Sequence, residues 1–583
     1  MSFKDFDPKP VFRSFRRLVG EGEVGGKARG LAFAYSVITG SAMEPSVVLP
    51  DINYVITTEV FSEFVKDNAV HELLERTLAD APESEEETCE IVYDRMRTAF
   101  ETGTVRAPLL SELGAILDNI GDIPLAIRSS SILEDSTKLS FAGKYGTFFS
   151  ANVGSREERI LGLTTAIRNV WASLYNPAAR AYRKKHGLTD DDESMAVVVQ
   201  PVMGTSHGHL YYPEIAGTAF SKVYRRPSTR IRKEDGVVRF CFGLGTRTVD
   251  RLKATVAYLS HPSLRPQGNL PYDIAQTSQS EFDYLDRKTG SFMSGLLSDF
   301  LPYIMKEHPL ASAFIEIFAD NNLYWAGSDQ LRNGVPIFSF SAFPGRHPRF
   351  FSLLKELAAF LEEQMGRPAD MEFTYDTKDG KLTVLQLRPL AAYEEMAKVR
   401  IPADWADRTL LRGNRMVSNG RMEHVEHLVY VDPFVYGKDT TFYEVAREIG
   451  RINERLEGTN YILVGPGRWG STNPKLGVPV RYNEICHCGC LIEVGITASD
   501  YMPELSYGTH FFLDLDVDGI LYLPVFDGID GNIFNREWFE GTPYQVKQHP
   551  AVRHYVGDFS VHLDGDKEIG VVLAESPTYT LEI

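Results

Sequence analysis

The sequence predicts an α/β protein that is divided into a large amino-terminal unit and a smaller carboxy-terminal unit of α+β type. Segments with apolar residues at helical spacing alternate with short β-branched runs, which are typical of buried strands. An Asp-Gly pair between two alternating runs predicts a β-hairpin. The chain has 583 residues, which is too long for a single hydrophobic core, so we expect two or three domains.

The elements of the amino-terminal unit follow from these patterns in order. The segments with helical spacing are residues 69–118, 157–186 and 351–365, and the strand-like runs are residues 124–131 and 195–203. A break between two helices is expected at Asn176-Pro177, because the residue before a proline avoids the helical conformation. Asp379-Gly380 is the predicted turn of a hairpin within residues 371–389.

A charged connector leads to the carboxy-terminal unit. Residues 391–412 contain no clear strand pattern and are the candidate linker. Beyond them we expect one helix near residues 441–456, followed by several short strands. We therefore assign the first domain, the linker and the second domain to residues 1–395, 396–412 and 413–583.

The composition excludes several classes of protein. Hydrophobic residues make up 43% and charged residues 24% of the chain, as in ordinary globular proteins. The net charge of −18 argues against a nucleic-acid or membrane partner, because both are polyanionic. There is neither a secretory signal nor an apolar run of about 18 residues that would span a bilayer. With only five cysteines, we expect a reduced protein of the cytoplasm.

The first motif is the glycine-rich segment from Gly22 to Gly30, which contains Lys27 and precedes a helix. Glycines let the backbone approach a polyphosphate, and a lysine supplies a positive charge to it. The segment is not a P-loop, since that motif requires Gly where Glu21 stands and Ser or Thr where Ala28 stands. A helix preceded by a flexible turn is the alternative.

The second motif combines Arg128 at a strand end, the serines at 129–131 and the glycine-rich segment from Gly143 to Thr147. The arginine and serines are suited to grip phosphate oxygens, and the glycine segment is suited to fold over them as a lid. The alternative is a surface salt bridge beside an ordinary hairpin.

The third motif is Glu372 in the first hairpin strand, with Gln386 and Arg388 in the second. Residues two apart on a strand share a face, so Gln386 and Arg388 point the same way. Carboxylate and amide oxygens are suitable ligands for Mg²⁺, and an arginine would neutralise phosphate charge. A solvated hairpin face is the alternative.

Together these segments resemble the ATP-grasp nucleotide domain of phosphoenolpyruvate synthase, pyruvate phosphate dikinase and the related rifampicin phosphotransferases. The matching stretches, in chain order, are VGGKARGLA, IRSSSILEDS with SFAGKYGTFFS, VWASLYNPAARAYR, MAVVVQPVM, GTAFS, GLGTRTVD, and MEFTYD with LTVLQLRPL. The ordered set is far more specific than any one motif. The resemblance therefore implies an ATP-grasp domain followed by a smaller α+β domain, with ATP and Mg²⁺ as cofactors.

The resemblance also implies a role for each matching residue. The implied roles are phosphate binding by Lys27 and Arg128, a lid from Gly143 to Thr147, a place beside the adenine for Gln200, Mg²⁺ binding by Glu372 and Gln386, and contact of Arg388 with the transferred phosphates. Lys27, Arg128 and Arg388 are accordingly the expected catalytic residues.

The sequence departs from the family pattern in three places. Family dikinases carry phosphate on a histidine in a glycine-rich Thr-Ser-His segment after the nucleotide domain, and no such segment follows residue 390. A Thr-Ser-His does occur at 205–207, where we expect a loop. The family's Gly-Leu-Gly-Glu has Thr246 in place of the glutamate. The pyruvate-binding barrel of the family needs more than 200 residues, which exceeds the remaining tail.

Two segments of the carboxy-terminal unit carry candidate chemistry. The glycine-rich loop from Gly465 to Thr472 follows a strand and suits either an anion or acceptor site or a tight turn with a packed tryptophan. His510 precedes an apolar strand and suits a general base or a phosphate carrier, with a structural role as the alternative. Cys486, Cys488 and Cys490 fall on one face of a predicted strand, which favours buried small side chains over a tetrahedral metal site.

These observations favour an ATP- and Mg²⁺-dependent phosphotransferase with an unidentified small-molecule acceptor. The carboxy-terminal unit is the candidate acceptor-binding unit. The resemblance suggests a dikinase reaction that releases AMP and phosphate. A direct kinase that releases ADP and a non-catalytic ATP sensor are the alternatives.

Overall fold

The computed structural model divides the chain into two compact units. The first consists of Met1–Val223 with Lys233–Leu390, and the second of Tyr224–Arg232 with Ala391–Ile583. The residues described are 3–49, 53–82, 85–133, 145–185, 187–223, 231–249, 253–264, 270–326, 334–390, 399–417, 419–438, 441–471, 473–481, 484–496, 520–565 and 567–575.

The first unit mixes helices and sheets, as expected. Its helices are α1 (Lys9–Ser14), α2 (Gly25–Ile38), α3 (Thr58–Asp67), α4 (Val70–Ala79), α5 (Glu85–Thr102), α6 (Ala107–Ile120), α7 (Arg156–Ala172), α8 (Pro177–Lys185), α9 (Thr246–Val249), α10 (Pro271–Thr277), α11 (Leu297–Glu307), α12 (Ala311–Phe314), α13 (Phe343–Arg346) and α14 (Pro348–Met365). Short 3₁₀ helices lie at Phe3–Asp5, Glu44–Ser46, Ser173–Tyr175, Asp190–Asp192 and Lys233–Asp235.

The strands of this unit form several sheets. The strands are β1 (Leu18–Val19), β2 (Val47–Val48), β3 (Tyr54–Ile56), β4 (Leu125–Ser131), β5 (Thr147–Ser150), β6 (Met195–Pro201), β7 (Thr205–His207), β8 (Leu210–Tyr212), β9 (Ile215–Phe220), β10 (Val237–Cys241), β11 (Thr255–Tyr258), β12 (Glu281–Asp286), β13 (Ser291–Leu296), β14 (Ile315–Ala319), β15 (Asn322–Trp325), β16 (Val335–Phe338), β17 (Ala369–Asp376) and β18 (Lys381–Pro389). The strand orders are β1-β3-β6-β4-β5, β11-β10-β9-β17-β18-β2, β13-β12-β8-β7 and β15-β14-β16. We call the first of these the β4 sheet and the second the hairpin sheet.

Local sequence accounts for the boundaries of the principal elements. Ser155 and Glu158 form a capping box at the start of α7. The predicted break at Asn176-Pro177 is confirmed, because Asn176 is extended and α8 begins at the proline. The predicted hairpin is also confirmed, with Gly380 in the left-handed conformation (φ +69°) between β17 and β18.

One predicted loop of the first unit is a strand. Thr205–His207 forms β7, which pairs with β8 through a turn that contains Gly208 at φ +64°. The loop prediction was wrong because the run is too short to show an alternating pattern, whereas its pairing depends on the partner strand.

The second unit is built around one mixed sheet. Its strands are β19 (Thr409–Gly413), β20 (Gly420–Val431), β21 (Tyr461–Pro466), β22 (Cys488–Gly495), β23 (Leu521–Phe526), β24 (Ile533–Phe534), β25 (Gln545–Val546), β26 (Val552–Asp564) and β27 (Ile569–Ala574). Its helices are α15 (Pro433–Tyr436), α16 (Phe442–Arg455) and α17 (Arg536–Gly541), with a 3₁₀ helix at Trp405–Arg408. The strand order is β23-β22-β21-β20-β26-β27-β19-β24, and β25 pairs with β26.

The end of the predicted linker belongs to this sheet. Residues 409–412 lie in β19, which pairs with β27 and β24. The linker prediction was therefore wrong for these four residues, because the Thr-Leu-Leu run is short and its strand partners lie more than 100 residues away along the chain. The division into residues 1–395, 396–412 and 413–583 otherwise stays a prediction.

The three clustered cysteines are buried, as expected, but they do not share one face. Cys488 packs into the core beneath α16, whereas Cys490 packs into the core on the opposite face of the sheet. Consecutive residues Tyr461 and Ile462 pair with Cys488 and Cys490, so Gly489 is an extra residue in β22. Such a bulge breaks the alternation on which the one-face prediction depended.

The described helices include none that is both long and apolar enough to cross a membrane.

We predict that Gly30→Ala destabilises the first unit. A Cβ atom at Gly30 of α2 would lie 1.7 Å from the carbonyl oxygen of Leu387 in β18, so helix and strand would have to separate. The expected loss is about 1–3 kcal/mol of unfolding free energy, as for other overpacking changes. Urea unfolding of the purified chain measures it.

The matched control is Gly345→Ala in α13, where an added Cβ meets no atom within 4 Å. This variant should unfold like the wild type or slightly later, because alanine favours the helix. Equal stability of the two variants would contradict the proposed contact between α2 and β18.

Candidate functional site

The glycine-rich segment places the start of α2 against the carboxyl end of β4. Gly25 has φ +73°, and a Cβ there would lie 1.8 Å from the carbonyl oxygen of Ser130. The backbone N–H of Ala28 donates to Ser130 Oγ at 3.1 Å. Lys27 is only 8% exposed, and its Nζ donates to Ser129 Oγ at 3.0 Å. The lysine and the positive end of the helix therefore lie directly beyond Arg128 on β4.

Arg128 joins the β4 sheet to the hairpin sheet. Its Nη2 donates to Glu372 Oε2 at 2.5 Å and to Gln386 Oε1 at 2.7 Å. Its Nη1 donates to Gln200 Oε1 at 3.2 Å and to the carbonyl oxygen of Leu385 at 3.4 Å. The side chains of Arg128 and Glu372 are only 11% and 18% exposed, so their ion pair is largely shielded from water. Four of the residues singled out in the sequence thus meet at one guanidinium group.

The pairing of β17 with β18 explains why the hairpin residues converge. Glu372 lies directly opposite Gln386, and Asp370 lies opposite Arg388. Residues that lie opposite each other share a face, and the two positions on each strand are two residues apart. All four side chains therefore lie on one face of the hairpin. Nε of Arg388 donates to Asp370 Oδ2 at 2.6 Å. Arg388 therefore stands beside the cluster but is paired with its own carboxylate.

Two polar residues of this face were missed by the sequence interpretation. Asp370 is 2% exposed, and burial raises its pKa although Arg388 opposes the shift. Thr218 of β9 lies opposite Glu372, is 1% exposed, and its Oγ1 has no hydrogen-bond partner among the described residues. The Asp-x-Glu spacing in β17 was a usable signal for Asp370. No pattern in the sequence pointed to Thr218, because its position opposite Glu372 follows only from the pairing of β9 with β17.

The oxygen atoms of this face fit a magnesium ion. One positively charged nitrogen of Arg128 contacts both Glu372 Oε2 and Gln386 Oε1, so these two oxygens already converge on one cationic group. Asp370 adds a further carboxylate on the same face. Carboxylate and amide oxygens are the ligands that Mg²⁺ prefers.

The predicted lid lies only partly within the described residues. Thr147 begins β5 and pairs with Arg128 in β4, so the two residues share a face of the sheet. Its side chain is exposed. Gly143 lies outside the described residues. The lid assignment therefore stays a prediction, with Thr147 on the face that carries Arg128.

His207 lies in a buried aromatic cluster of the first unit. It is 9% exposed, and its ring lies 4.6 Å from that of Tyr212 and 4.5 Å from that of His308. His308 in turn bridges Tyr212 Oη at 2.9 Å and Glu214 Oε1 at 2.8 Å. Burial, with His308 nearby, lowers the pKa of His207 to about 4. His207 is therefore neutral near pH 7 and packs against the neighbouring rings.

For the glycine-rich loop of the second unit, the two alternatives were an anion or acceptor site and a tight turn with a packed tryptophan. The structure shows the packed tryptophan. Trp469 is 1% exposed, and its Nε1 donates to the carbonyl oxygen of Ile492 at 3.1 Å. A Cβ at Gly465 would lie 2.5 Å from the Trp469 ring, so the strand end needs a glycine there. The described loop ends at Ser471. Thr472 and the segment that contains His510 lie outside the described residues.

Comparison with known proteins identifies the family of the chain. A model of the family described as "Pyruvate phosphate dikinase, AMP/ATP-binding domain" matches residues 21–408, which is more than half of the chain. This chain belongs to that family. The resemblance seen in the sequence is thereby confirmed, and the matched segment contains Lys27, Arg128, Gln200 and the β17–β18 hairpin.

Relatives of this chain include several larger proteins. Phosphoenolpyruvate synthase of Aeropyrum pernix is 30% identical over 190 residues, covering 31% of this chain and 21% of the relative. Phosphoenolpyruvate synthase of Deinococcus radiodurans is 28% identical over 375 residues, covering 63% and 39%. Rifampicin phosphotransferase of Bacillus cereus is 26% identical over 206 residues, covering 35% and 22%. The chain thus spans well under half the length of each of these relatives.

We predict that His207 contributes to a loss of stability in acid. The unfolded chain binds a proton at His207 near its ordinary pKa of about 6.5, whereas the folded protein binds it only near a pKa of about 4. The free energy of unfolding therefore decreases as the pH falls through the interval between these two pKa values. In His207→Phe, which keeps a ring in place, the stability lost between pH 7 and pH 4 should be smaller by up to about 3 kcal/mol.

Urea unfolding at the two pH values tests this expectation. His209→Phe, at an exposed position just after the same turn, is the matched control. The same loss of stability in wild type and His207→Phe would show that His207 is not the group responsible.

Proposed function

We propose that this chain is an ATP- and Mg²⁺-dependent phosphotransferase. The observation that carries the proposal is that Gln200, Glu372 and Gln386 all contact the guanidinium group of Arg128, with Lys27 close by. These residues come from two sheets and one helix of the domain that matches the AMP/ATP-binding family. Membership of that family supports ATP as the nucleotide.

The charges of the site suit phosphoryl transfer. Lys27, Arg128 and Arg388 supply three cations around an acidic face that contains Glu372 and Asp370. Phosphoryl transfer depends mainly on positioning and on neutralising the charge of the phosphates. In the structure, Arg128 is paired with Glu372 and Arg388 with Asp370. We expect both arginines to exchange these carboxylates for phosphate oxygens when ATP binds.

The exchange frees the oxygens that fit a metal ion. Glu372 and Gln386, with Asp370 beside them, would hold Mg²⁺, which supplies charge neutralisation at the nucleotide phosphates. Gln200 lies on β6 next to β4 and presents an amide of the kind that recognises an adenine edge. Its Nε2 donates to the carbonyl oxygen of Leu385 at 3.1 Å, which fixes the amide orientation against the hairpin.

The acceptor and the second product define three versions of this function. The first is a dikinase reaction that forms AMP and phosphate, with a small molecule as acceptor. A direct kinase would form ADP. A sensor would bind ATP without turnover. We favour the dikinase version because the matched family is that of the dikinase nucleotide domain.

We predict that Arg128→Ala and Glu372→Ala abolish stabilisation of the first unit by Mg-ATP. A ligand at about 100 times its Kd stabilises a protein by about 2.7 kcal/mol, and both variants remove charges that the nucleotide complex needs. The shift in Tm on adding Mg-ATP measures the effect. Arg349→Ala is the matched control, since this arginine of α14 is 54% exposed and pairs with Glu356.

Both site variants should remain folded but melt at a lower temperature than the wild type, because each leaves one largely shielded charge without its partner. Circular dichroism without nucleotide checks this point. An undiminished Tm shift in both variants would remove the basis for the site assignment.

Product analysis separates the three versions. We expect purified protein with Mg-ATP and a metabolite extract to form AMP and phosphate, resolved by ion-exchange chromatography. Formation of ADP would show that the protein is a direct kinase and not a dikinase. Saturable ATP binding without either product, in every extract fraction, would replace both with a sensor.

A further inference from the structure

A cluster of nitrogen-bearing side chains lies on the sheet of the second unit. Val429 of β20 pairs with His554 of β26, and His427 lies two residues before Val429 on the same face. The two imidazoles meet, with His554 Nε2 3.3 Å from His427 Nδ1. His554 is 6% exposed and His427 is half-buried. His554 is therefore the buried member of the pair, and His427 is the more accessible one.

The buried member of this pair has an unsatisfied polar atom. Nδ1 of His554 is buried and has no hydrogen-bond partner among the described residues. Buried polar atoms without a partner are uncommon because the lost hydration is not replaced. Burial, together with the nearby Lys547, His427 and Arg455, lowers the pKa of His554 to about 3.

Two cations complete the cluster. Gln545 pairs with His554 across β25 and β26, and Lys547 donates from Nζ to Gln545 Oε1 at 3.0 Å. Arg455 ends α16 and is exposed. Within the described part of the chain, neither Lys547 nor Arg455 forms an ion pair with a carboxylate. Burial and the charge of Arg455 lower the pKa of Lys547.

The acidic groups near the cluster do not neutralise it. Glu448 of α16 is 1% exposed, and it is used by Arg451 at 2.8 Å and by the backbone N–H of Gln548 at 3.1 Å. Glu426 precedes His427 at an irregularity of β20, and its charge only partly offsets the burial that lowers the pKa of His427. Tyr461 lies beside His427 on β21, but its hydroxyl donates to Asn453 Oδ1 at 2.9 Å.

We propose that His427, His554, Lys547 and Arg455 form a binding site for a dianionic phosphate group, either inorganic phosphate or a phosphomonoester. The residues offer N–H donors of the kinds that bind phosphate oxygens. Among the residues that the structure describes, the two cations have no carboxylate partner, in a chain of net charge −18. A metal ion bound by the two imidazoles would face repulsion from Lys547 and Arg455. The site is independent of the proposed nucleotide site, which lies in the first unit.

Proton uptake is the signature of such a site. The two histidines are neutral at pH 7 because burial and neighbouring cations lower the pKa of each. A bound dianion favours their protonated forms and raises both pKa values. Proton uptake by the histidines therefore adds to the proton that inorganic phosphate itself loses when it binds as the dianion, so the histidine share is the difference in proton balance between the wild type and His427→Gln.

Calorimetric titration of the full chain with inorganic phosphate tests the proposal. Titration at pH 7 in two buffers of different ionisation enthalpy gives both the affinity and the proton uptake. We expect His427→Gln to lower the proton uptake by the share of one imidazole, and Lys547→Gln and Arg455→Gln each to weaken binding about tenfold or more. Because Arg455 is exposed, its variant tests the site without disturbing the core.

Two control variants assign the signal to this cluster. Lys567→Gln removes an equal charge at the far end of β26, where Lys567 pairs with Asp564. Arg128→Ala removes phosphate binding at the proposed nucleotide site. Both controls should retain the proton-linked signal. Loss of the signal in Arg128→Ala, or its persistence in all three cluster variants, would overturn the phosphate site without bearing on the proposed function.

Parallel titrations identify the ligand. Methyl phosphate that binds as tightly as inorganic phosphate, or more tightly, assigns the site to a phosphomonoester, and weaker binding assigns it to free phosphate. Zn²⁺ binding that is lost in His427→Gln, with no phosphate binding in the wild type, would overturn the proposal in favour of a metal site.

Discussion

The buried ion pair between Arg128 and Glu372 is the interaction on which the first unit's site depends. A guanidinium group shielded from water needs a counter-ion, and a carboxylate left alone there would be strongly destabilising. The pair links β4 to the hairpin of a second sheet, with Gln200 and Gln386 satisfying the remaining donors. The residues suited to hold a nucleotide are therefore assembled by their own charges before any ligand is present.

Much of this arrangement was predictable from local sequence. The period of two placed Gln386 and Arg388 on one face, and Asp379-Gly380 set the turn that brings β18 back beside β17. The glycines before Lys27 were interpreted as room for a polyphosphate, and the structure shows Gly25 packed against the backbone of β4, a distant part of the chain. For the hairpin, the determining interactions lie within a few residues of each other, where pattern and backbone conformation are directly related.

The remainder depended on contacts between distant parts of the chain. Thr218 is opposite Glu372 only because β9 pairs with β17, which lies about 150 residues later, and no local pattern specifies that partner. Likewise, Gly489 shifts Cys488 and Cys490 to opposite faces through a bulge that is defined against β21. A single inserted residue reverses every later assignment of faces, so alternation alone is reliable only over an unbroken ladder.

The position of α2 has a mechanical consequence for the first unit. The helix backbone touches β4 at Gly25 and β18 at Gly30, with no room for even a methyl group at either contact. The two contacts belong to different sheets, so the β4 sheet and the hairpin sheet cannot move apart along this helix without breaking at least one of these contacts. A side chain added at either glycine would therefore change the spacing of the β4 sheet and the hairpin sheet, and with it the distance between Lys27 and the β17–β18 hairpin.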